Sequence, residues 1–363
     1  MSIRRWSLGA TGAVYDGPGA RTVLQRGLAR RGSRRVTLLT NRSLSRTRWP
    51  DELAALIPGG ATVFSGISAN APKRDVDSAT EHARAARADA LVAIGGSSVT
   101  DAAKIVRLAL LGADADADAV PLIVLPTTLS SGELTPAAGM TGEVESEKTY
   151  VMDPRMAPTA LILDPELTID TPRELWLSSG VKALDHACEA LWAVRPHPYS
   201  DALAAEGLAR LWRALPACAA RPDDLHARLD AQIGGWFSMA GMTRHGPGPS
   251  HLLGHQLAAR WGIAHGVTSC ITLPAVLREM EHEGRPGVAR VTEIVATTTA
   301  EHAARALESL IDSLSLPRRL RDVGGVEAEI DLVADAAWRH GNETGYAPPD
   351  GAATFARLLR TCW

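Results

Sequence analysis

Cysteine is scarce: the chain holds four in 363 residues. Cys188, Cys218, Cys270 and Cys362 are scattered and form no Cys-x-x-Cys pair, which excludes a disulfide-built scaffold. Charge of one sign is also missing. Lys and Arg number 38 against 41 Asp and Glu, a net charge of −3. That balance leaves neither a nucleic-acid footprint nor a membrane-seeking patch, so neither partner is expected. Long apolar runs are absent as well. Residues 1–5 are partly basic, but no apolar stretch follows Trp6, so no signal peptide and no membrane span is expected. The default is a soluble cytoplasmic protein. No internal repeat or low-complexity segment stands out.

What is present is globular composition, 45% hydrophobic and 22% charged, in a chain long enough for two domains. The first half alternates apolar runs with helical stretches. Strands are expected over 36–40, 61–64, 90–94 and 122–125, and helices over 76–87 and 101–111. Such alternation implies a parallel sheet covered on both faces. The stretch 112–119, Asp alternating with Ala, is expected as a surface turn. Arg30, Arg31, Arg34 and Arg35 read as a solvated helix end. Beyond about Asp170 the strand-like alternation stops. Helices are expected over 172–192, 201–215, 225–242, 268–280, 300–314 and 353–359. The Pro-punctuated segment 164–171 marks the boundary, giving domains 1–166 and 167–363.

Two turns follow buried strands. Gly95-Gly96-Ser97-Ser98 joins a strand to a helix that continues through Asp101 and Lys104. Glycine permits close approach to a diphosphate, and the helix start offers unpaired N–H groups. A plain strand-to-helix connection accounts for the turn equally well. Pro126-Thr127-Thr128-Leu129-Ser130-Ser131 is dense in hydroxyls, which suits phosphate or ribose but also a simple cap. Ligands of open α/β sheets gather at the carboxyl ends of the strands.

In the helical half, Lys182 and His186 lie one turn apart on one face, as do His251 and His255. Asp185 is expected to point away from the His186 face. His265 follows in an expected loop. A single histidine on a helix is usually packed or hydrogen-bonded; the set together suggests a site. His245, His282, His302 and His340 are read as surface residues.

These residues resemble the iron-containing alcohol dehydrogenase superfamily over most of the chain, and within it the maleylacetate reductase-like branch. Gly95, Gly96, Ser98, Asp101 and Lys104 match the family's Gly-Gly-Gly-Ser-x-x-Asp-x-x-Lys pattern, with Ser97 replacing the third glycine. Glu133-x-Thr135, Glu147-Lys148-Thr149, Asp153-Pro154-Arg155, Asp164-Pro165-Glu166-Leu167 and His251-x-x-x-His255 with His265 also match. The resemblance implies an N-terminal Rossmann-like α/β nucleotide-binding domain and an all-α C-terminal domain, a dehydroquinate synthase-like architecture. It implies NAD(H) or NADP(H) as cofactor and a site in the cleft between the domains. Gly95, Gly96, Ser97 and Ser98 would cradle the pyrophosphate, and Asp101 would also belong to the cofactor-binding set. Thr127, Thr128 and Ser131 would line the nucleotide cleft, and Lys148 would approach the ribose or nicotinamide. Asn41 falls where NAD-preferring relatives carry an aspartate; without that acid a 2′-phosphate is not repelled, though Asn41 also suits an ordinary turn.

His186, His251 and His265 match three metal-ligand positions of metal-dependent relatives, and Lys182 takes the place of the ligand aspartate. An ammonium repels a divalent ion at short range, so metal-independent chemistry is expected. Lys182 would stabilise an alkoxide or anchor a substrate carboxylate, and His255 or His251 would relay the proton. The expected activity is an NAD(P)-dependent alcohol dehydrogenase or carbonyl reductase on a small-molecule or peptide-terminal substrate, with oxidative decarboxylation open for a β-hydroxy acid. Residues 345–350 depart from the maleylacetate reductase pattern, which argues against maleylacetate itself. The alternatives are a three-His iron or zinc site and a degenerate nucleotide-binding partner subunit. A homodimer is expected.

Overall fold

The computed structural model describes residues 12–112, 116, 119–142, 148–243 and 245–363, and of Lys148 the backbone alone. The chain divides into two compact units. One comprises Met1–Thr127 and Gly132–Asp170, the other Thr128–Ser131 and Thr171–Trp363.

In the first unit β1 (Ala13–Asp16) leads through α1 (Val23–Arg31) to β2 (Val36–Asn41), and α2 (Trp49–Leu56) to β3 (Ala61–Ile67). Next come α3 (Lys73–Ala85), β4 (Ala90–Gly95), α4 (Ser97–Leu111) and β5 (Leu122–Pro126). β6 (Ala137–Thr141) and β7 (Lys148–Met152) pair as an antiparallel ribbon, and β8 (Ala160–Leu163) completes the set. The six-stranded sheet runs β1-β8-β5-β4-β2-β3 with every pairing parallel. The strands expected from apolar runs all form; inside the sheet consecutive residues are buried, as all six of β4 are, whereas none of residues 61–64 in the edge strand β3 is. On one side Leu38, Val92, Ile94 and Leu125 pack with Leu24 and Leu28 of α1 and Trp49 and Leu53 of α2. Alternate residues point the other way, and Leu39, Leu91, Ala93 and Val124 are equally buried, with α4 packed on β2, β4 and β5. The expected surface turn at 112–119 lies largely outside the described residues. Arg30 and Arg31 close α1 exposed to solvent, as expected.

The second unit is helical. It holds α5 (Arg173–Leu191), α6 (Pro198–Ala220), α7 (Leu225–Met242), α8 (Pro249–Trp261) and α9 (His265–His282). α10 (Gly287–Ile294), α11 (Ala300–Ser313), α12 (Ile330–Thr344) and α13 (Ala352–Thr361) follow. His265 opens α9 and is not in the expected loop. Gly262 ends α8 in the left-handed conformation and only two residues separate it from His265. Every residue of α5 from Trp176 to Leu191 is buried, against α6, α7, α9 and α10. A helix buried all round is ordinarily apolar all round. α5 instead carries Lys182, Asp185, His186 and Glu189 inside. Among the described residues no helix is long and apolar enough to cross a membrane.

Candidate active site

In the first unit the strand order sets β2, β4 and β5 side by side, so Asn41, Gly95-Gly96 and Pro126-Thr127 share the carboxyl edge of the sheet. Gly95 is required there sterically: a Cβ would stand 2.6 Å from Val99 Cγ2, in the first turn of α4. Gly96 is the N-cap of α4 and contributes no side-chain cap, so the amides of Ser97 and Ser98 have no acceptor within the helix. This cradle fits a pyrophosphate. Ser98 Oγ accepts from Asn70 N at 2.9 Å. Asn41 Oδ1 accepts from Leu44 N at 2.9 Å, so its oxygen closes a turn. Thr127 N donates to Gly95 O at 2.9 Å, tying the two turns together.

Asp101 and Lys104 both bond to β6. Asp101 Oδ2 accepts from Gly139 N at 3.2 Å. Lys104, fully buried, donates to Gly132 O at 2.5 Å and to Thr135 O and Ala137 O at 2.8 Å each, fastening the segment before β6 to α4. Burial lowers its ammonium, which Asp101 and Glu133 oppose. Thr128–Ser131 belong to the second unit, where Leu129 N donates to Ser179 Oγ of α5 at 3.1 Å. Ser131 Oγ donates to Leu129 O at 3.2 Å. Of Lys148 only the backbone, in β7, is described.

In the second unit α5, α8 and α9 bring one network together. Lys182 Nζ lies 3.0 Å from Asp185 Oδ2 and 3.3 Å from His251 Nδ1. Asp185 Oδ2 also accepts from Ser250 Oγ at 2.9 Å and Ser269 Oγ at 2.6 Å. Glu189 accepts from the amides of Gly248, Ser250 and His251 at 3.2, 2.8 and 3.2 Å, at the N-terminus of α8. Its Oε2 is 2.8 Å from His251 Nδ1. Burial pushes the Glu189 carboxyl up, and Lys182 and these amides pull it back. Three amides at a helix start favour the carboxylate, so we assign His251 Nδ1–H as the donor to Glu189. Two of the three Lys182 N–H groups then have no acceptor among the described residues.

The imidazoles gather. His186 stacks on His251 with centroids 4.9 Å apart, and His255 stands edge-on to His251 and to His265 at 5.7 Å each. His340 of α12 stacks on His255 at 5.5 Å. Burial drives both His186 and His251 well below the usual histidine range; the Lys182 cation pushes the same way. Both rings are therefore neutral at neutral pH.

An ammonium beside these imidazoles opposes a divalent ion at short range. Among the described residues no three His, Cys, Asp or Glu side chains are disposed to hold one. Lys182 Nζ stands 3.3 Å from His251 Nδ1, and Asp185 is paired with that ammonium.

Three expectations are corrected here. Asp185 does not point away from the site; three residues along a helix is close enough for its carboxylate to grip Lys182. His340 is not a surface residue but half-buried against His255. His245 is likewise half-buried, whereas His282 and His302 are exposed. Glu189 carried no signal beyond its buried helix. It also borders a cavity of about 300 Å3, lined further by Trp192, Met280, Arg285 and Tyr346.

The family profile described as "Iron-containing alcohol dehydrogenase" matches residues 11–165, and "Fe-containing alcohol dehydrogenase family, C-terminal" matches residues 176–354. The maleylacetate reductase of Pseudomonas sp. (strain P51) is 31% identical over 326 residues, covering 90% of this chain and 88% of its own. The crystal structure of maleylacetate reductase from Agrobacterium tumefaciens matches with a TM-score of 0.87 at 26% identity, covering 100% of this chain and 99% of that one. Sulfoacetaldehyde reductase from Bifidobacterium kashiwanohense, solved in complex with NAD+, shares the fold with a TM-score of 0.89 at 22% identity over 99% of each chain. The chain belongs to the iron-containing alcohol dehydrogenase family, in its maleylacetate reductase-like branch, and is an NAD(P)-dependent oxidoreductase acting on alcohol or carbonyl groups.

Proposed function

We propose that this enzyme moves a hydride between nicotinamide and the carbonyl or alcohol carbon of a carboxylate-bearing substrate, without a divalent metal. The observation that carries this is Lys182: a buried ammonium, held by Asp185 beside neutral imidazoles, with N–H donors to spare. Relatives named for maleylacetate, itself a carboxylate, support an acidic substrate. The nicotinamide, when bound, supplies or takes the hydride. Gly95, Gly96, Ser97 and Ser98 hold its pyrophosphate, Thr127, Thr128 and Ser131 its flanks, and Lys148 the ribose side. Lys182 donates to the oxygen that gains charge as the carbonyl is reduced, where a preorganised cation lowers the barrier. His255, or His251, moves the proton to or from that oxygen, with His186 and His265 completing the pocket. Asn41 leaves room for a 2′-phosphate, so both NADH and NADPH serve. If the alcohol is a β-hydroxy acid, its oxidation gives a β-oxo acid, which loses carbon dioxide by breaking the Cα–carboxyl bond and taking a proton at Cα. The enzyme works in the cytoplasm as a homodimer.

The test uses protein purified without chelators. Elemental analysis is expected to find less than a tenth of an equivalent of iron or zinc. NADH and NADPH oxidation is followed with a panel of 2-oxo acids, 3-oxo acids and uncharged aldehydes. Oxo acids are expected to be reduced fastest, and Lys182→Ala to lose about a hundredfold or more in kcat, a common scale for removing one charge-stabilising donor. One equivalent of metal per chain, or a Lys182→Ala enzyme with wild-type turnover, sinks the reading.

A further inference from the structure

We infer that Asp185 is a positioning residue for the Lys182 ammonium. The inference rests on the functional reading of Lys182 above and extends it to the group that aims the amine. The two side chains stand three residues apart on α5, close enough to meet along one face. Asp185 is completely buried, and its Oδ2 collects the ammonium at 3.0 Å, Ser250 Oγ at 2.9 Å and Ser269 Oγ at 2.6 Å. The hydroxyls come from α8 and α9, so three helices fix that one oxygen in space. Ser250 Oγ is steadied in turn, 2.8 Å from Thr272 Oγ1.

The other oxygen has the opposite character. Asp185 Oδ1 is buried with no hydrogen-bond partner among the described residues. A carboxylate kept only for packing would be poorly placed here, since a buried acceptor without a donor costs stability. The arrangement is accounted for by what Oδ2 holds. Without that oxygen a lysine on a buried helix withdraws along its flexible stem toward water, taking the charge with it.

The experiment begins with a substrate-free readout, the crystal structure of Asp185→Asn in the full chain. The Lys182 amine is expected to retreat from His251 Nδ1 by more than about 1 Å; an amine left in place overturns the inference. Kinetics then separate positioning from general damage. With NADH and the oxo acid reduced fastest in the panel above, Asp185→Asn is expected to lower kcat thirty- to a hundredfold and leave the NADH KM within twofold. In a Lys182→Met background the same substitution should change kcat less than twofold, because nothing remains to be aimed. Equal losses in both backgrounds overturn the inference. Should Asp185→Asn not fold, Ser269→Ala carries the same cycle, with a three- to tenfold loss in wild type and none beside Lys182→Met; equal losses again overturn it. A Lys182→Met enzyme with wild-type turnover would instead discard the functional reading, and the crystal structure would still report whether Asp185 holds the amine.

Discussion

Glu133, wholly buried next to Lys104, makes stability depend on pH in a defined direction. Burial pushes its carboxyl up to about 7, with the Lys104 charge pulling the other way. A folded-state value above the unfolded one means the contribution is complete below the unfolded value, near 4.5, and is lost as pH rises through 7. Glu133→Gln has no such loss. Its stability relative to wild type should therefore improve between about pH 5 and pH 7.5, by at most about 1.4 kcal/mol per pH unit. Urea unfolding at the two pH values checks this, and a constant difference would reject it. Asn41 supports a second expectation: Asn41→Asp restores the acid that repels a 2′-phosphate. NADPH affinity should fall tenfold or more in fluorescence titration while NADH stays within about threefold, a single charge contact near a surface being worth roughly 1–2 kcal/mol. The imidazole cluster was legible at this scale because Lys182 and His186, and likewise His251 and His255, stand one helical turn apart. Asp185 was misplaced, because a residue turned from the His186 face can still reach Lys182 three positions back. Glu189 and His340 were beyond reach, because their partners His251 and His255 lie 62 and 85 residues away along the chain.

Helices and strands meet most closely where glycine permits it. Gly207 of α6 faces α7, and a Cβ there would stand 2.7 Å from Ser238 N and 2.9 Å from Gly234 O. Alanine is the better helix former by about 1 kcal/mol. Backbone atoms cannot step aside, however, and overpacking of this kind costs about 1–3 kcal/mol. Gly207→Ala should therefore lower the thermal midpoint in spite of its propensity; a raised midpoint would show that α6 and α7 slide apart freely. Gly95→Ala sets a similar conflict at the pyrophosphate turn, against buried Val99. Weaker NADH binding together with a lower midpoint is expected, and unchanged values of both would remove the turn from the cofactor site. The core strands were visible in the sequence because parallel strands buried on both faces read as unbroken apolar runs. β1 and β8 are four residues each, too short to rise above their surroundings, and β6, Ala-Ala-Gly-Met-Thr, has little strand-forming character of its own.

At the scale of the whole chain, an α/β unit and a helical unit each bury their own core. Nucleotide that binds only the folded protein stabilises it by mass action, about 2.7 kcal/mol at a hundredfold excess over Kd. Both NADH and NADPH should raise the melting temperature, and a chain indifferent to both would not be using the Gly95-Gly96 turn. The composition change near Asp170 was readable, and the sequence boundary at 166 lies four residues before the end of the first unit. Thr128–Ser131 could not have been foreseen, since a hydroxyl-rich turn after a strand carries no sign of which core will claim it. That short insertion bears on how such a protein can be rearranged. A gene severed after codon 170 would ship Leu129 with the wrong fragment and part its amide from the Ser179 hydroxyl 3.1 Å away. The halves are thus not interchangeable cassettes, and any shuffling in evolution or in the laboratory must carry this four-residue splint along.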